Sequence, residues 1–213
     1  TYNSIFADFI GSLWGWNYRI GGKLTHVWNS NNDASESTLQ GSPRLILSRK
    51  MGKRNYLRMN VQSWADSPTI NQLSTNVTQE IPGLISQGNP WLKASQVYEL
   101  SISHSYQHDI VSFDEWTGLN YSSHPINRTY NWQTVGTEDY IVGSWENAKC
   151  KVEWAVGGSV FYRPFGSELL TIGLELQGGF VHIESNLMGS HTKWTVRPDY
   201  MVRFHKGDFG ASY

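Results

Sequence analysis

The side chains from which this 213-residue chain could build a reaction are seven histidines, a few acidic pairs and one cysteine. His104 and His108 fall on one strand face and His182, His191 and His205 lie near strand ends, but no spacing among them matches a structural zinc pattern. Asp114-Glu115 and Glu138-Asp139 sit in polar stretches that read as loops, where carboxylates are solvated charge. A glycosidase-type pair would instead have to face itself across a cleft. No Ser-His-Asp elbow, P-loop or dinucleotide fingerprint occurs. Cys150 alone can form no internal disulfide. Asn76, Asn120 and Asn127 begin Asn-x-Ser/Thr triplets that read as chance. These residues predict no enzyme, no cofactor and no metal. Seventeen basic against eighteen acidic residues give a net charge of -1, which leaves no field for capturing nucleic acid.

The elements that would carry these residues are strands. Tyr98, Leu100, Ile102, His104 and Tyr106 alternate with Glu99, Ser101, Ser103 and Ser105, the period-2 signature of a sheet with one apolar face. The same alternation returns at 18–28, 57–62, 150–162, 170–180 and 194–204, and no segment holds a helical period. Between these runs lie short connections at Gly11-Ser12, 51–54, 106–109, 164–167 and Lys206-Gly207, and long polar ones at 29–42, 65–94 and within 114–137. The pattern yields about ten strands, with 121–147 resisting assignment. A length of 213 residues suits one all-β domain, and no stretch is long and apolar enough for a membrane-spanning helix.

Which solvent meets each face decides the architecture. A soluble sandwich turns its apolar face inward and shows water a face rich in Lys, Glu and Asp; here the polar rows are small and neutral, mostly Ser, Thr, Gly and Gln. Aromatic rings also bracket the aliphatics: Tyr98 and Tyr106, and Trp154 and Tyr162, are eight residues apart, Tyr18 and Trp28, and Trp194 and Phe204, ten. At roughly 3.3 Å per residue and a tilt near 40°, the rings stand about 20–25 Å apart along the normal, close to the apolar band of an outer-membrane barrel with its aromatic girdles. Short turns on one rim and long loops on the other fit the same architecture, the long loops being extracellular.

One ordered set of motifs carries a family resemblance. Ser42-Pro43-Arg44-Leu45, Tyr56-Leu57-Arg58-Met59, Ser67-Pro68-Thr69-Ile70-Asn71-Gln72-Leu73 and Gly88-Asn89-Pro90-Trp91-Leu92-Lys93 precede the strand at Tyr98; Trp16-Asn17-Tyr18-Arg19-Ile20-Gly21-Gly22 stands upstream and Glu146-Asn147-Ala148-Lys149 downstream. In this order they resemble the barrel of TonB-dependent outer-membrane receptors, in the form found in the Bacteroidota outer-membrane β-barrel family. The chain departs from that pattern at Ala94-Ser95, where Pro-Glu is usual, and at Ser67, where Arg is usual. The family's receptors add a plug domain and roughly 22 strands, so the resemblance implies that 1–213 is a partial antiparallel transmembrane β-barrel domain without its plug, a piece of a longer receptor. It implies nutrient uptake in the bacterial outer membrane, with lipid, the plug, the remaining strands, TonB and a surface-exposed lipoprotein as partners and no nucleic acid. The competing expectations are a small stand-alone outer-membrane barrel and a soluble β-sandwich binding protein.

Residue roles follow at two places. Pro68, Gly88, Asn89 and Pro90 shape the return of the long loop to the wall, through a proline that ends ladder pairing and a turn of permissive residues. Trp91, just beyond, is a candidate ligand contact or interfacial anchor. Arg58, Glu99, Lys151, Glu153, Glu175, Arg197 and Arg203 fall on polar rows, where a barrel would aim them at its lumen and plug.

Overall fold

The computed structural model describes residues 2–30, 35–135, 137–166, 169–206 and 209–212. Four strands open the chain, β1 (Tyr2–Leu13), β2 (Trp16–Ser30), β3 (Ser35–Met51) and β4 (Asn55–Asp66), followed by a single helical turn α1 (Ile70–Leu73) and the short strands β5 (Thr78–Ile81) and β6 (Leu84–Ser86). Then come β7 (Ser95–Gln107), β8 (Val111–Ser123), β9 (Ile126–Val135), β10 (Glu138–Asn147), β11 (Cys150–Tyr162), β12 (Leu170–Ser185), β13 (Gly189–Lys206) and β14 (Phe209–Ser212). Ten of them form one sheet in the order β1-β2-β3-β4-β7-β8-β11-β12-β13-β14, and β5, β6, β10 and β9 form a second, four-stranded sheet. The large sheet is antiparallel throughout and open, with β1 and β14 at its edges.

Register makes the two faces continuous. Val61, Leu100, Leu119, Trp154, Phe180 and Trp194 stand directly opposite one another across six strands; one residue along, so do Gln62, Glu99, Asn120, Glu153, Val181 and Lys193. Directly opposed residues point the same way, so the first row lies on the apolar face and the second on the polar one. On β12, Ile172, Leu174 and Leu176 are 44%, 59% and 55% exposed while Thr171 is 7% exposed. Burial is therefore inverted relative to a protein folded around an oily centre. Among the described residues the buried apolar side chains, prolines aside, are Leu92, Val142 and Ala148, none of them in the large sheet. Nothing among the described residues covers the apolar face, which a sandwich would close with a second sheet.

The apolar face carries two ring belts. Toward the long-loop rim, Tyr98 meets Tyr121 at 6.2 Å between ring centres, and Trp154, Phe180 and Trp194 follow at 6.0 and 5.0 Å. Toward the short-turn rim, Phe9 lies 6.1 Å from Tyr18 and Tyr106 stacks on Phe113 at 5.0 Å.

Several expected connections move. Gly11-Ser12 lies inside β1, because the Phe9, Gly11, Leu13 alternation runs on to a two-residue turn at Trp14 and Gly15, with φ of 52° and 78°. The expected loop 29–42 is mostly strand: β2 and β3 pair from Ser30 and Ser35 inward, and 31–34 lie outside the described residues. Asp114 and Glu115 belong to wall strand β8 and not to a loop, whereas Glu138 and Asp139 do lie in the long connection between β8 and β11, at the start of its strand β10. Polar composition misled there because β8 needs only one apolar row. Ser167, Gly207, Thr1 and Tyr213 lie outside the described residues.

Candidate functional site

Both long connections of one rim meet in a single structure. The 67–94 segment begins with Pro68, buried at the end of β4, and passes into one helical turn. A four-residue helix cannot sustain itself, and its ends are closed from outside. Thr69 and Gln72 form a capping box, the Thr69 N–H donating to Gln72 Oε1 at 2.8 Å and the Gln72 N–H to Thr69 Oγ1 at 3.4 Å. At the other end the Gly88 N–H donates to Ser74 O at 2.8 Å and the Asn89 N–H to Gln72 O at 2.6 Å. A Cβ on Gly88 would lie 2.4 Å from Ser74 O and 2.6 Å from Gln72 O, so only glycine permits this approach. The Pro-Thr-x-x-Gln and Gly-Asn-Pro halves of the motif are thus two sides of one clasp.

A second clasp closes on Asn147. Its Nδ2 donates to Lys93 O at 2.8 Å and His124 O at 2.9 Å, its Oδ1 accepts from the Lys93 N–H at 2.8 Å, and its own carbonyl accepts from Asn186 Nδ2 at 2.7 Å. Asn89 Nδ2 donates to Trp145 O at 3.0 Å. Ser185 Oγ donates to Glu146, and Ala148, fully buried, donates its N–H to Pro125 O at 2.9 Å. One asparagine therefore joins the entrance to β7, the end of β8 and the β12–β13 turn. The two departures from the family pattern are also occupied: Ser95 Oγ donates to Ser123 O at 3.1 Å, and Ser67 Oγ accepts from Gln40 Nε2 at 2.6 Å.

Beyond the clasps, the two connections share a sheet. β9 and β10 form a hairpin, and β6 runs parallel to β10 with Leu84, Ile85 and Ser86 opposite Ile141, Val142 and Gly143. Arg128 of β9 pairs with Glu80 of β5, tying the sheet's two edge strands, and its guanidinium lies over the rings of Tyr130 and Trp145 at 5.2 and 5.8 Å. Trp91 is 85% exposed, its N–H held by Asn89 Oδ1 at 3.0 Å; Trp132 is 75% exposed and Tyr130 49%. Sequence reasoning placed Pro68, Gly88, Asn89, Pro90 and Trp91 here. It gave Asn147 no role and missed Arg128, Tyr130 and Trp132, whose alternation inside 121–147 was the one available signal.

The seven charged residues expected in a lumen share the polar face, by register. Glu99 is held by Asn60 Nδ2 at 3.2 Å, Gln62 Nε2 at 2.9 Å and Ser101 Oγ at 3.3 Å, and Lys151 Nζ lies 2.8 Å from Glu153 Oε1. Asn60 Oδ1 and Asn120 Oδ1 are buried there without a partner. The histidines stand apart: His104 is bonded to Asn55, His182 to Thr192 and His191 to Met188 O. Among the described residues no three His, Cys, Asp or Glu side chains come together to hold a metal.

A family model described as outer membrane protein beta-barrel family matches residues 1–198. No curated protein matches the chain. Among solved structures, the siderophore receptor PirA from Pseudomonas aeruginosa superposes with a TM-score of 0.68 at 14% identity, over 97% of this chain and 43% of that one. The ferric enterobactin receptor PfeA of the same organism, bound to enterobactin, gives 0.61 at 16% identity, over 95% of this chain and 32% of that one. The FrpB iron transporter from Neisseria meningitidis gives 0.58 at 8% identity, over 96% and 38%. The chain spans less than half of each of these structures, and at such identities the likeness is one of fold.

Proposed function

Since the chain belongs to the outer membrane protein β-barrel family, and so resides in the outer membrane, we propose that it supplies wall strands and extracellular loops of a TonB-dependent receptor that imports a scarce nutrient. The observation that carries this reading is the inverted burial: a ten-stranded antiparallel wall whose aliphatic rows face outward between two ring belts, while the packed apolar side chains lie among the loops of one rim. A wall of that kind holds loops rigidly, and loops on rigid walls carry binding. The exposed rings of Trp132, Tyr130 and Trp91 and the paired Arg128 give these loops both flat apolar contact and fixed charge.

The polar face takes the plug in this reading. Arg58, Glu99, Lys151, Glu153, Glu175, Arg197 and Arg203 offer both signs of charge, and the unpaired acceptors of Asn60 and Asn120 await donors. Pro68, Gly88, Asn89 and Pro90 brace the loop rather than touch the nutrient.

The test is uptake by cells carrying the intact receptor, supplied in turn with ferric catechol chelates, ferric hydroxamates, cobalamin and oligosaccharides. Growth on at least one that needs both this receptor and TonB is the expected result; growth on all of them unchanged by loss of either overturns the proposal. Deleting 75–87 in the same receptor assigns the loop. Ser74 O and the Gly88 N–H already stand 2.8 Å apart, so the cut ends rejoin with little movement while β5 and β6 are lost. Binding should weaken with barrel folding intact, and unchanged binding would pass recognition to other loops.

A further inference from the structure

One row of the outward apolar face carries two charged side chains, Arg49 on β3 and Glu115 on β8. Glu115 stands on the same row of β8 as Phe113, Leu119 and Tyr121, with its side chain 66% exposed, directly opposite His104 on one side and Gly158 on the other. A carboxylate on a lipid-facing row is costly and therefore rare, and where it occurs it marks a function with a definite partner. Among the described residues no lysine or arginine pairs with it, and the one imidazole beside it is held off at ion-pair distance. His104 Nδ1 is 3.8 Å away, beyond hydrogen-bond length, and His104 Nε2 is turned to Asn55 Oδ1 at 3.1 Å. Arg49, in the same row across β3 and β4, has its guanidinium over Trp16 at 5.6 Å.

Beside Glu115 the wall is hollowed. Gly158 faces Glu115 and Leu176; Gly178 faces Val156 and Val196; these four strands enclose a groove of about 610 Å³ walled by Val156, Val160, Leu174, Leu176 and Val196. The backbone does not require glycine at 178: a Cβ would meet Thr195 O at 3.5 Å and Val196 Cγ2 at 3.9 Å, ordinary contacts. The missing side chain leaves room on the outside of the wall rather than relieving strain within it. Glu115 lies two residues inward of Phe113, which stacks on Tyr106 in the short-turn belt, about 5 Å along the normal at the usual rise and tilt. A glutamate side chain covers that distance, so its carboxylate reaches headgroup level while the groove runs toward the middle of the apolar band.

We propose that this groove binds a phospholipid with a primary-ammonium headgroup from the short-turn leaflet, its acyl chain lying over Gly158 and Gly178 and its ammonium held by Glu115. The chemistry selects the occupant: an aliphatic chain fits the apolar walls, the carboxylate repels anionic headgroups, and a primary ammonium gives it hydrogen bonds that a quaternary one cannot. A protein segment or a second copy of the chain seated in the groove is the competing occupant.

The intact barrel, purified in mild detergent, is analysed by native mass spectrometry with phosphatidylethanolamine, phosphatidylglycerol and phosphatidylcholine of matched acyl chains. The proposal expects phosphatidylethanolamine to be retained about tenfold more than the other two, Glu115→Gln to erase that preference without changing gel mobility before and after boiling, and Gly178→Leu to lower retention of all three. Equal retention by the unaltered barrel, or a preference that survives Glu115→Gln, overturns it. So does a dimer or a co-purified protein that Gly178→Leu releases while lipid retention is unchanged. If Gly178→Leu fails to fold, the Glu115→Gln comparison decides alone.

Discussion

Placing an arginine at Ile102 asks directly what solvent the apolar face meets. Ile102 lies on β7 midway between Tyr98 and Tyr106, opposite Met59 and Thr117, and is 38% exposed. Four residues separate it from each ring, about 13 Å along the strand and about 10 Å along the normal, which puts it near the middle of an apolar band about 25 Å tall. In water, an exposed strand position accepts such a change within about 0.5 kcal/mol. At a bilayer midplane it costs about 2–4 kcal/mol, roughly 30- to 700-fold in the folding equilibrium. Ser103→Arg puts the same guanidinium on the opposite face, between Arg58 and Trp116, where like-charge opposition costs about 0.2–1 kcal/mol. Leu100→Arg removes the remaining alternative, a dry protein–protein packing of this face. Leu100 is less exposed than Ile102 but nearer the Tyr98 belt, so packing ranks its substitution as the more costly and lipid ranks it as the less costly. The assay is urea titration of the intact barrel folding into phosphocholine vesicles, followed by tryptophan fluorescence and gel mobility. An Ile102→Arg cost within about 0.5 kcal/mol, or below that of Ser103→Arg, refutes the lipid-facing assignment.

Three further outcomes test the rim. Asn147→Ala removes two donors and one acceptor that join Lys93 and His124, and at about 1 kcal/mol per bond it should speed amide exchange and protease cleavage within 67–94 while the wall keeps its resistance to detergent. Gly88→Ala should open the same segment, because its Cβ would lie 2.4 Å from Ser74 O; cleavage unchanged from the parent would show that the clasp is not what orders the loop. Arg128→Lys keeps the charge facing Glu80 but loses the planar stacking on Tyr130 and Trp145, so tryptophan fluorescence at the rim should change with little effect on wall stability.

The wall was legible because a strand in lipid has only one way to be written: aliphatics every second residue, rings at both ends, small polar residues between. Val152, Trp154, Val156 and Val160 declare that pattern without help from neighbours, and each proves exposed or half-buried. β8 was hidden because Asp114, Glu115 and Asn120 interrupt its alternation, and Glu115 stands in the very row that Phe113, Leu119 and Tyr121 make apolar. The rim was legible only as motif. That Gly88 must be glycine depends on where Ser74 and Gln72 stand, and that Asn147 is a hub depends on Lys93 and His124, 54 and 23 residues away in the chain. Such contacts leave no periodicity. The β6–β10 pairing is equally silent, since three residues at Leu84–Ser86 are too few to show an alternation.

That pairing has a consequence for how the loops work. A lone two-stranded hairpin is marginal in water, and stability begins with a third strand. β5–β6, with four and three residues per strand, cannot hold itself, and the β9–β10 hairpin presents an edge on which it can. The entropy of ordering either connection is therefore offset largely by contacts with the other: the β6–β10 ladder, Arg128 with Glu80, and Asn89 and Lys93 with Trp145 and Asn147. The two connections should accordingly order and loosen together. In the function proposed above, a contact that a nutrient makes with one of them, whether at Trp91 or at Trp132, would stabilise the other, and the shared sheet would deliver that bias to Asn147, where the two connections are bolted to β7, β8 and the β12–β13 turn.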